Sequence, residues 1–290
     1  MRIKERNILY SRGKKEKIVF GIVFCIFALY AFSYIYVVAW TFLSSLKENR
    51  EFFASPFKLP QKWLFKNYID AFKKLEYNQT NYVGMLVNSL WFTFGGLIIS
   101  LACSTATAYV LAKYKFWGSN AIYAGALFIM IIPIMGSLPA YYKMVSDLRI
   151  INSPLFLITC TGGFGFNFFI LHAYFRNLSW SYAEAAFIDG AGHFYTFVKV
   201  MLPQALPCIF ALGVQGFIGF WNDYMTPILY LDDFPTISSG LYYYQEQIKF
   251  ASNEPVYFAG VLMSMIPALA LFVFFSDTIM ENTVAGGLKG

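Results

Sequence analysis

The sequence contains few charged residues. Charged side chains make up 13% of its 290 residues, whereas soluble proteins carry about 25%. Hydrophobic residues make up 58%, and they occur in long runs. Apolar runs of roughly 20 residues are typical of helices that cross a lipid bilayer. The composition therefore excludes an ordinary soluble protein and predicts an all-α, polytopic membrane protein.

Residues that carry chemistry are also scarce. The two histidines, His172 and His193, lie far apart in the sequence, and the four cysteines all fall inside apolar runs without close spacing. Metal sites and disulfide frameworks need closely spaced ligands or thiols, so we interpret the cysteines as small buried hydrophobic residues. The sequence also lacks a G-x-x-x-x-G-K-[ST] phosphate loop. No catalytic residue, metal ligand or cofactor site is therefore assigned to this chain.

The net charge of +6 does not indicate a nucleic-acid partner. The basic residues are concentrated on the two sides of the first apolar run, in residues 2–17 and 47–74. No basic stripe with interleaved aromatic residues, as expected in a nucleic-acid groove, is present. Basic residues just before the first span favour an N-terminus on the cytoplasmic side of the bilayer.

Six apolar runs predict six transmembrane helices. With the N-terminus inside, six spans also place the C-terminus and the polar loop between the fourth and fifth runs in the cytoplasm. The apolar runs are 18–43, 84–112, 120–142, 154–175, 205–231 and 256–276. The predicted organisation is a basic cytoplasmic tail (1–17), a first transmembrane helix (18–43), an extracellular loop (44–82), a transmembrane core (83–276) that includes the polar loop 176–204, and a cytoplasmic tail (277–290).

The polar loop 176–204 has the pattern of a helix, a turn and a second helix. Alanines favour a short helix over Ser181–Ile188. Gly190 then supplies the left-handed conformation at which helices commonly end. Residues 193–201 have helical spacing, and Leu202-Pro203 is expected to close this second helix before the fifth span. By shape alone, the loop also fits an amphipathic connector at the membrane surface.

The spacing of this loop carries a resemblance to a known family. Glu184-Ala185-Ala186, three residues, Gly190, nine residues, an aliphatic residue, one residue and Leu202-Pro203 resemble the signature of the permeases of binding-protein-dependent ATP-binding-cassette importers. The Asp189-Gly190-Ala191 triplet resembles the sugar-type members, above all the smaller maltose-type permease subunit. Further resemblance lies in Asn88-Ser89-Leu90, Trp221-Asn222-Asp223-Tyr224 and the Gly286-Gly287-Leu288-Lys289-Gly290 tail. The chain departs from many relatives at Ser179, where they have proline, and at Ala183, where they have an acidic residue.

The resemblance implies a permease subunit in a bacterial cytoplasmic membrane that moves a sugar or oligosaccharide. The implied partners are a second homologous permease, two cassette ATPase subunits that bind Mg-ATP, an extracellular solute-binding protein and the lipid bilayer. The polar loop would be the coupling loop that docks on an ATPase. The residues implied in this coupling are Glu184, Ala185, Ala186, Asp189, Gly190, Ala191, Leu202 and Pro203.

Polar residues within the predicted spans are candidates for the solute pathway. These are Asn167, Asn222 and Asp223, since an intramembrane polar or acidic residue suggests a functional site. Asp223 lies near the outer end of the fifth span, so a helix-capping role is an equally open alternative. Two further alternatives are a permease of this class for a non-sugar solute and a secondary transporter driven by an ion gradient. The latter predicts buried coupling carboxylates and inverted repeats, for which the sequence gives little support.

Overall fold

The computed structural model describes residues 13–132, 136–248 and 253–287, and most of these residues are helical. The strands found among them are β1 (Glu76–Tyr77) and β2 (Thr80–Asn81), which pair as a short antiparallel hairpin. The helices are α1 (Lys14–Ser45), α2 (Asn49–Ala54), α3 (Lys66–Lys74), α4 (Tyr82–Lys113), α5 (Ser119–Ile131), α6 (Ser137–Asp147), a 3-10 helix (Pro154–Cys160), α7 (Phe166–Asn177), α8 (Ser181–Ile188), α9 (His193–Thr196), a π-helical turn (Phe197–Met201), α10 (Leu202–Asn222), α11 (Met225–Tyr230), α12 (Ile237–Ile248) and α13 (Glu254–Gly287).

Four helices in the described ranges are long and apolar enough to cross a membrane. They correspond to the first, second, fifth and sixth apolar runs of the sequence: Lys15–Ser45, Tyr82–Lys113, His193–Asn222 and Glu254–Phe275. A helix satisfies its backbone hydrogen bonds internally, which is required wherever the surroundings are hydrocarbon. The side chains of α1 are mostly exposed although an 18-residue stretch of this helix has a mean hydropathy of 2.4. This combination fits a helix whose surface faces lipid or another protein.

The third and fourth apolar runs are divided into shorter segments. The third gives α5, with 13 residues, and part of α6, and the fourth gives the 3-10 helix and α7, with 12 residues. Glycines in the left-handed region separate these segments: Gly136 has φ +76°, and Gly162 and Gly163 have φ +62° and +35°. A right-handed helix cannot continue through such residues. The described residues therefore confirm a helical membrane bundle but do not contain six unbroken spanning helices.

Helix α4 is the centre of the packing, with α7 on one side and α10 on another. The small residues Ser104 and Ala108 on α4 are fully buried, and Gly162 lies directly against the Ser100 hydroxyl. Small residues let helix backbones approach closely where no hydrophobic force drives association in lipid. Ser104 and Ala108, one helical turn apart, therefore lie where other segments pack closely on α4, and Ala108 belongs to one core cluster with Phe168 of α7.

The predicted loop 44–82 is a folded element and not an open connection. Lys47 is 1% exposed, and its Nζ donates to the Ser55 and Pro56 carbonyl oxygens at 3.1 and 2.8 Å. The Asn67 side-chain amide donates to the carbonyls of Ser45 and Lys47, each at 2.8 Å. These bonds satisfy buried polar groups, as protein interiors require. Helices α2 and α3 pack against the start of α13, where the Glu254 amide donates to the Asn49 side-chain oxygen at 3.2 Å.

Two details of the sequence interpretation change. The cysteines are free thiols, but Cys25 is exposed and Cys103, Cys160 and Cys208 are only partly buried, so the description of all four as buried residues was wrong. An apolar residue on a bilayer helix need not face protein, because lipid is equally apolar. In addition, α13 continues to Gly287, so most of the predicted tail 277–290 is helical.

Candidate functional site

The first helix of the polar loop, α8, spans Ser181–Ile188, the residues predicted from the sequence. The Ser179 hydroxyl accepts a hydrogen bond from the Ser181 amide at 3.3 Å and lies 2.7 Å from the Ser181 hydroxyl. The amides of Ala183 and Glu184 donate to the Trp180 carbonyl. Ser179 therefore supplies an acceptor for one of the free amides at the start of a helix.

The turn after α8 is a Schellman motif. The Gly190 amide donates to the Phe187 carbonyl at 3.0 Å, and the Ala191 amide donates to the Ala186 carbonyl at 2.9 Å. Gly190 has φ +84°, as the left-handed position of this motif requires. The predicted helix end at Gly190 is thus confirmed in detail, and it fixes the direction in which the chain leaves α8.

The second helix of the loop does not end at Leu202-Pro203. Helix α9, the π-helical turn and α10 form one continuous helix, His193–Asn222. A proline inside a helix removes one amide donor and clashes with the carbonyl four residues before it. The π-helical turn ends at Met201, two residues before Pro203, and local π-type adjustments of this kind let a membrane helix continue through a proline. The expected break at this point was therefore wrong, and the fifth span begins inside the loop.

An aromatic cluster attaches the loop to the end of α4. It consists of Tyr114, Trp180, Phe187 and His193, whose neighbouring rings lie 4.9 to 5.9 Å apart. The Tyr114 hydroxyl and His193 Nδ1 share a hydrogen bond of 2.9 Å. Ring contacts of this kind contribute about 0.5–1.5 kcal/mol each beyond simple burial. The cluster joins both helices of the loop to the same point of the bundle.

Lys113, the last residue of α4, strengthens this attachment. Its Nζ donates to the Leu178 carbonyl and lies 6.0 Å from the centre of the Trp180 ring. Leu178 follows the end of α7, where carbonyl groups have no partner within the helix. A lysine at this place both satisfies such a carbonyl and forms a cation–π contact. The loop entry is therefore held by α4 as well as by α7.

The two faces of α8 have different surroundings. Ala183 is completely buried, and Ala186 and Phe187 are half-buried against the bundle. Glu184, Ala185, Ile188 and Asp189 are exposed, and the Ile188 side chain is 86% exposed. The buried position of Ala183 explains why an apolar residue suits this chain there. The exposed face combines two carboxylates with small and apolar side chains.

The remaining implied coupling residues lie along the same loop. Gly190 is exposed, Ala191 is half-buried, Leu202 is half-buried and Pro203 is exposed at the start of α10. The aromatic cluster and Lys113 were not identified from the sequence as site residues. Aromatic and basic residues at the ends of apolar runs are a known mark of the membrane interface, and this signal was available.

Asp223 both caps a helix and lines a cavity. Its Oδ1 accepts a hydrogen bond from the Thr226 amide at 3.0 Å, at the start of α11. It also lines a cavity of about 280 Å³ with mixed polar and apolar walls. The two roles left open by the sequence are therefore compatible. Other lining residues are Ser100, Tyr141, Phe156, Thr159 and Cys160.

The structure does not bring the other two pathway candidates into this cavity. Asn222 is exposed, and its side-chain amide donates to the Ile218 carbonyl at 2.9 Å. Asn167 is half-buried at the second position of α7 and not midway along a span. Neither residue is among the described residues that line the cavity.

Comparisons with known proteins agree on one family. The family model described as "binding-protein-dependent transport system inner membrane component" matches residues 79–284. The chain is 28% identical to the diacetylchitobiose uptake system permease protein of Streptomyces coelicolor, covering 86% of this chain and 82% of that protein. It is also 28% identical to the galactooligosaccharides transport system permease protein of Bacillus subtilis, with 92% and 94% covered.

A solved structure supports the same fold. The chain superposes on a chain of a bacterial ATP-binding-cassette transporter involved in the import of the acidic polysaccharide alginate, with a TM-score of 0.78 and 23% identity, covering 92% of this chain and 98% of that one. At this identity the likeness establishes the fold alone. Since the family model matches well over half of the chain, this protein belongs to the family of inner-membrane components of binding-protein-dependent transport systems, the permeases of ATP-binding-cassette importers.

Proposed function

We propose that the chain translocates a sugar or oligosaccharide that an extracellular binding protein delivers. The names of relatives support this solute class, since they refer to diacetylchitobiose, galactooligosaccharides and, in Streptococcus pneumoniae, maltodextrin. Permease components of this family are generally not enzymes, and the family implies an inner-membrane location. ATP hydrolysis then takes place in separate cassette ATPase subunits, two of which assemble with this chain and a second homologous permease.

The observation that carries the ATP-driven permease role is the coupling loop, which is exposed on one side and held against the bundle on the other. Glu184, Ala185 and Asp189 present a small, acidic helix face, while the aromatic cluster and Lys113 hold the opposite side. A force applied to α8 therefore reaches α4 and α10 directly. Glu184 is the polar anchor in the ATPase cleft, and Ala185 allows close approach. Ala186, Gly190 and Ala191 set the turn, and Leu202-Pro203 begins the transmembrane part of the moving helix.

The arrangement of α4 supports the proposed orientation. The helix has 32 residues, and at 1.5 Å per residue it is about 48 Å long. The hairpin and α12 lie at the N-terminal end of α4, and the coupling loop lies at its C-terminal end. A cytoplasmic coupling loop consequently places the hairpin outside. The basic N-terminus and the end of α13 are then cytoplasmic, in agreement with the charge distribution.

The cavity beside Asp223 is the proposed part of the solute pathway in this chain. Its wall contains hydroxyl, carboxylate and aromatic groups, which is the chemistry of a site for a neutral polyol. Asn222 and Asn167 lie outside this wall. They belong to the pathway only if it extends along α10 and α7, toward the second permease.

Copurification tests the class of the protein. The tagged chain is expected to carry two cassette ATPases and a second permease, because family permeases act as subunits. Glu184→Lys is expected to leave the chain in the membrane but to abolish ATP-driven uptake, since the exposed carboxylate becomes a cation. Normal uptake by this variant would refute the docking role of Glu184.

Uptake of several solutes tests the solute class. Proteoliposomes with the complete complex and its binding protein are supplied with labelled maltotriose, diacetylchitobiose, galactobiose, arabinotriose, a tripeptide and phosphate. Uptake of at least one sugar, dependent on ATP, is expected. Uptake of the peptide or phosphate alone would assign the permease to a non-sugar solute. Uptake driven by a proton gradient without ATP would identify a secondary transporter.

A further inference from the structure

A second polar pocket lies at the end of the bundle opposite the coupling loop. It has a volume of about 560 Å³ and is open to the surface. The hairpin forms one wall, and the loop before α12 together with α12 forms the other. Its principal lining residues are Glu76, Tyr77, Asn78, Asp232, Tyr243 and Tyr244.

The walls of this pocket are held together by specific contacts. The Tyr77 hydroxyl donates to Asp232 Oδ1 at 3.1 Å, and the Asn78 side-chain amide donates to the Asp232 carbonyl at 2.9 Å. The rings of Tyr77 and Tyr243 have centroids 4.3 Å apart. Gly240 lets α12 lie against Met85 and Tyr77, because a Cβ at this position would overlap the Met85 sulfur. The pocket is consequently a preformed concavity and not a gap between mobile loops.

The two turn residues of the hairpin have a left-handed backbone. Asn78 and Gln79 both have left-handed conformations, with φ +46° and +61°. Asparagine tolerates this region, but glutamine rarely adopts it. Two-residue hairpin loops commonly require positive φ at both central residues, and the pairing of Tyr77 with Thr80 makes Asn78-Gln79 such a loop. Both residues line the pocket.

We infer that this pocket binds a sugar unit of the transported oligosaccharide at the outer entrance of the permease. Tyrosine rings offer flat apolar faces to the C–H groups of a pyranose, and carboxylate and amide groups exchange hydrogen bonds with its hydroxyls. The lining contains two carboxylates and Lys74, whose Nζ is already paired with Asp70 at 3.1 Å. The inference rests on the proposed sugar specificity, and it adds a binding place for one sugar unit on this subunit.

The neighbouring residue on α12 provides a matched control. Tyr242 and Tyr243 are adjacent and each is 39% exposed. Only Tyr243 lines the pocket, whereas Tyr242 stacks on Tyr224 with ring centroids 4.4 Å apart. Comparing the Tyr242 and Tyr243 variants therefore separates the general effect of losing a tyrosine side chain on α12 from the specific effect of losing part of the pocket wall.

The test is saturation-transfer NMR with the complete complex in nanodiscs, titrated with maltotriose, diacetylchitobiose, galactobiose and arabinotriose. At least one sugar is expected to bind, and Tyr243→Ala is expected to weaken its binding about ten-fold. Tyr243→Phe, which keeps the ring, should stay within about two-fold, and Tyr242→Ala should match the unmodified complex. Absence of binding by all four sugars, or equal losses with Tyr242→Ala and Tyr243→Ala, would overturn the subsite.

Uptake in the same preparation separates the two proposals. If a sugar is transported but Tyr243→Ala leaves its binding unchanged, the subsite is wrong and the proposed function stands. If no sugar is transported, the proposed function fails regardless of Tyr243. If Tyr243→Ala weakens attachment of the solute-binding protein and not of free sugar, the pocket is a protein contact and the inference is refuted.

Discussion

Gly190 allows the coupling loop to be perturbed without a steric clash. A Cβ added there would meet no atom within 4 Å, so alanine at this site changes only the backbone preference. Gly192, two residues later, is equally open but has φ −80° and ψ 163°, which any residue adopts. The comparison of Gly190→Ala with Gly192→Ala therefore isolates the left-handed conformation.

The expected magnitudes follow from this geometry. A non-glycine residue at φ +84° costs about 1–2 kcal/mol, or roughly a ten-fold loss of the ordered turn. Gly190→Pro fixes φ near −65° and removes the amide that donates to Phe187, at a cost of about 3 kcal/mol or more and roughly a hundred-fold loss. Gly192→Ala should be neutral or slightly stabilising, because it restricts the unfolded chain.

Hydrogen exchange and transport measure the two consequences. In the purified complex, the protection of the Gly190 and Ala191 amides is expected to fall in the order Gly192→Ala, Gly190→Ala, Gly190→Pro, and the proline variant retains no exchangeable amide at residue 190 itself. The number of solute molecules transported per ATP should fall in the same order. Equal protection and transport in Gly190→Ala and Gly192→Ala would refute the role of the Schellman motif, and normal coupling in Gly190→Pro would refute the docking role of the loop.

Further predictions concern the attachment, the packing and the outer pocket. Lys113→Met should retain the helix but lose the hydrogen bond to the Leu178 carbonyl, which is worth about 1.5–3 kcal/mol for a charged donor. It should therefore lower uptake more than Lys115→Met, since Lys115 is exposed. Equal uptake by the two variants would contradict the role of Lys113 in attaching the loop to α4. Gly162→Ala should lower thermal stability, because φ is +62° and the new Cβ overlaps the Ser100 hydroxyl. Gly213→Ala in α10 makes only an ordinary contact with Leu101 and should be neutral or stabilising. The reverse order would contradict the close approach of Gly162 to α4. Burial and the hydrogen bond to Asp232 raise the pKa of Tyr77 to about 12. Because the tyrosine ionises at lower pH in the unfolded chain, its contribution to stability is complete below about pH 10 and is lost toward about pH 12. Tyr77→Phe should abolish this part of the alkaline loss of stability in thermal unfolding measured over a pH series.

The coupling loop could be predicted because its signals are local. The alanines of α8, the glycine after it and the distance to Pro203 lie within one short segment, and the structure confirms both α8 and the left-handed Gly190. The aromatic cluster was not predicted, because Tyr114 and His193 are separated by 79 positions in sequence. Such contacts depend on which helices are neighbours, and a single sequence gives no direct information on this.

The middle of the bundle was predicted less well for a different reason. Apolar runs indicate which residues avoid water, but they do not reveal whether the backbone within them is one helix or two. The left-handed glycines Gly136, Gly162 and Gly163 decide this point, and glycine is tolerated in transmembrane helices as well as in breaks. Likewise, the role of Asp223 required knowledge of α11, whose first turn it caps.

The continuous helix His193–Asn222 connects the coupling loop at one end of the bundle with the cavity wall near Asp223 at the other. Its 30 residues give a length of about 45 Å. A tilt of about 10° about the loop end would move the far end by about 8 Å, which is comparable to the width of a helix. That far end carries Asn222 and leads directly into Asp223 at the cavity wall. Under the proposed function, a small rotation at the aromatic cluster would give a displacement at the far end large enough to open or close a passage for the solute.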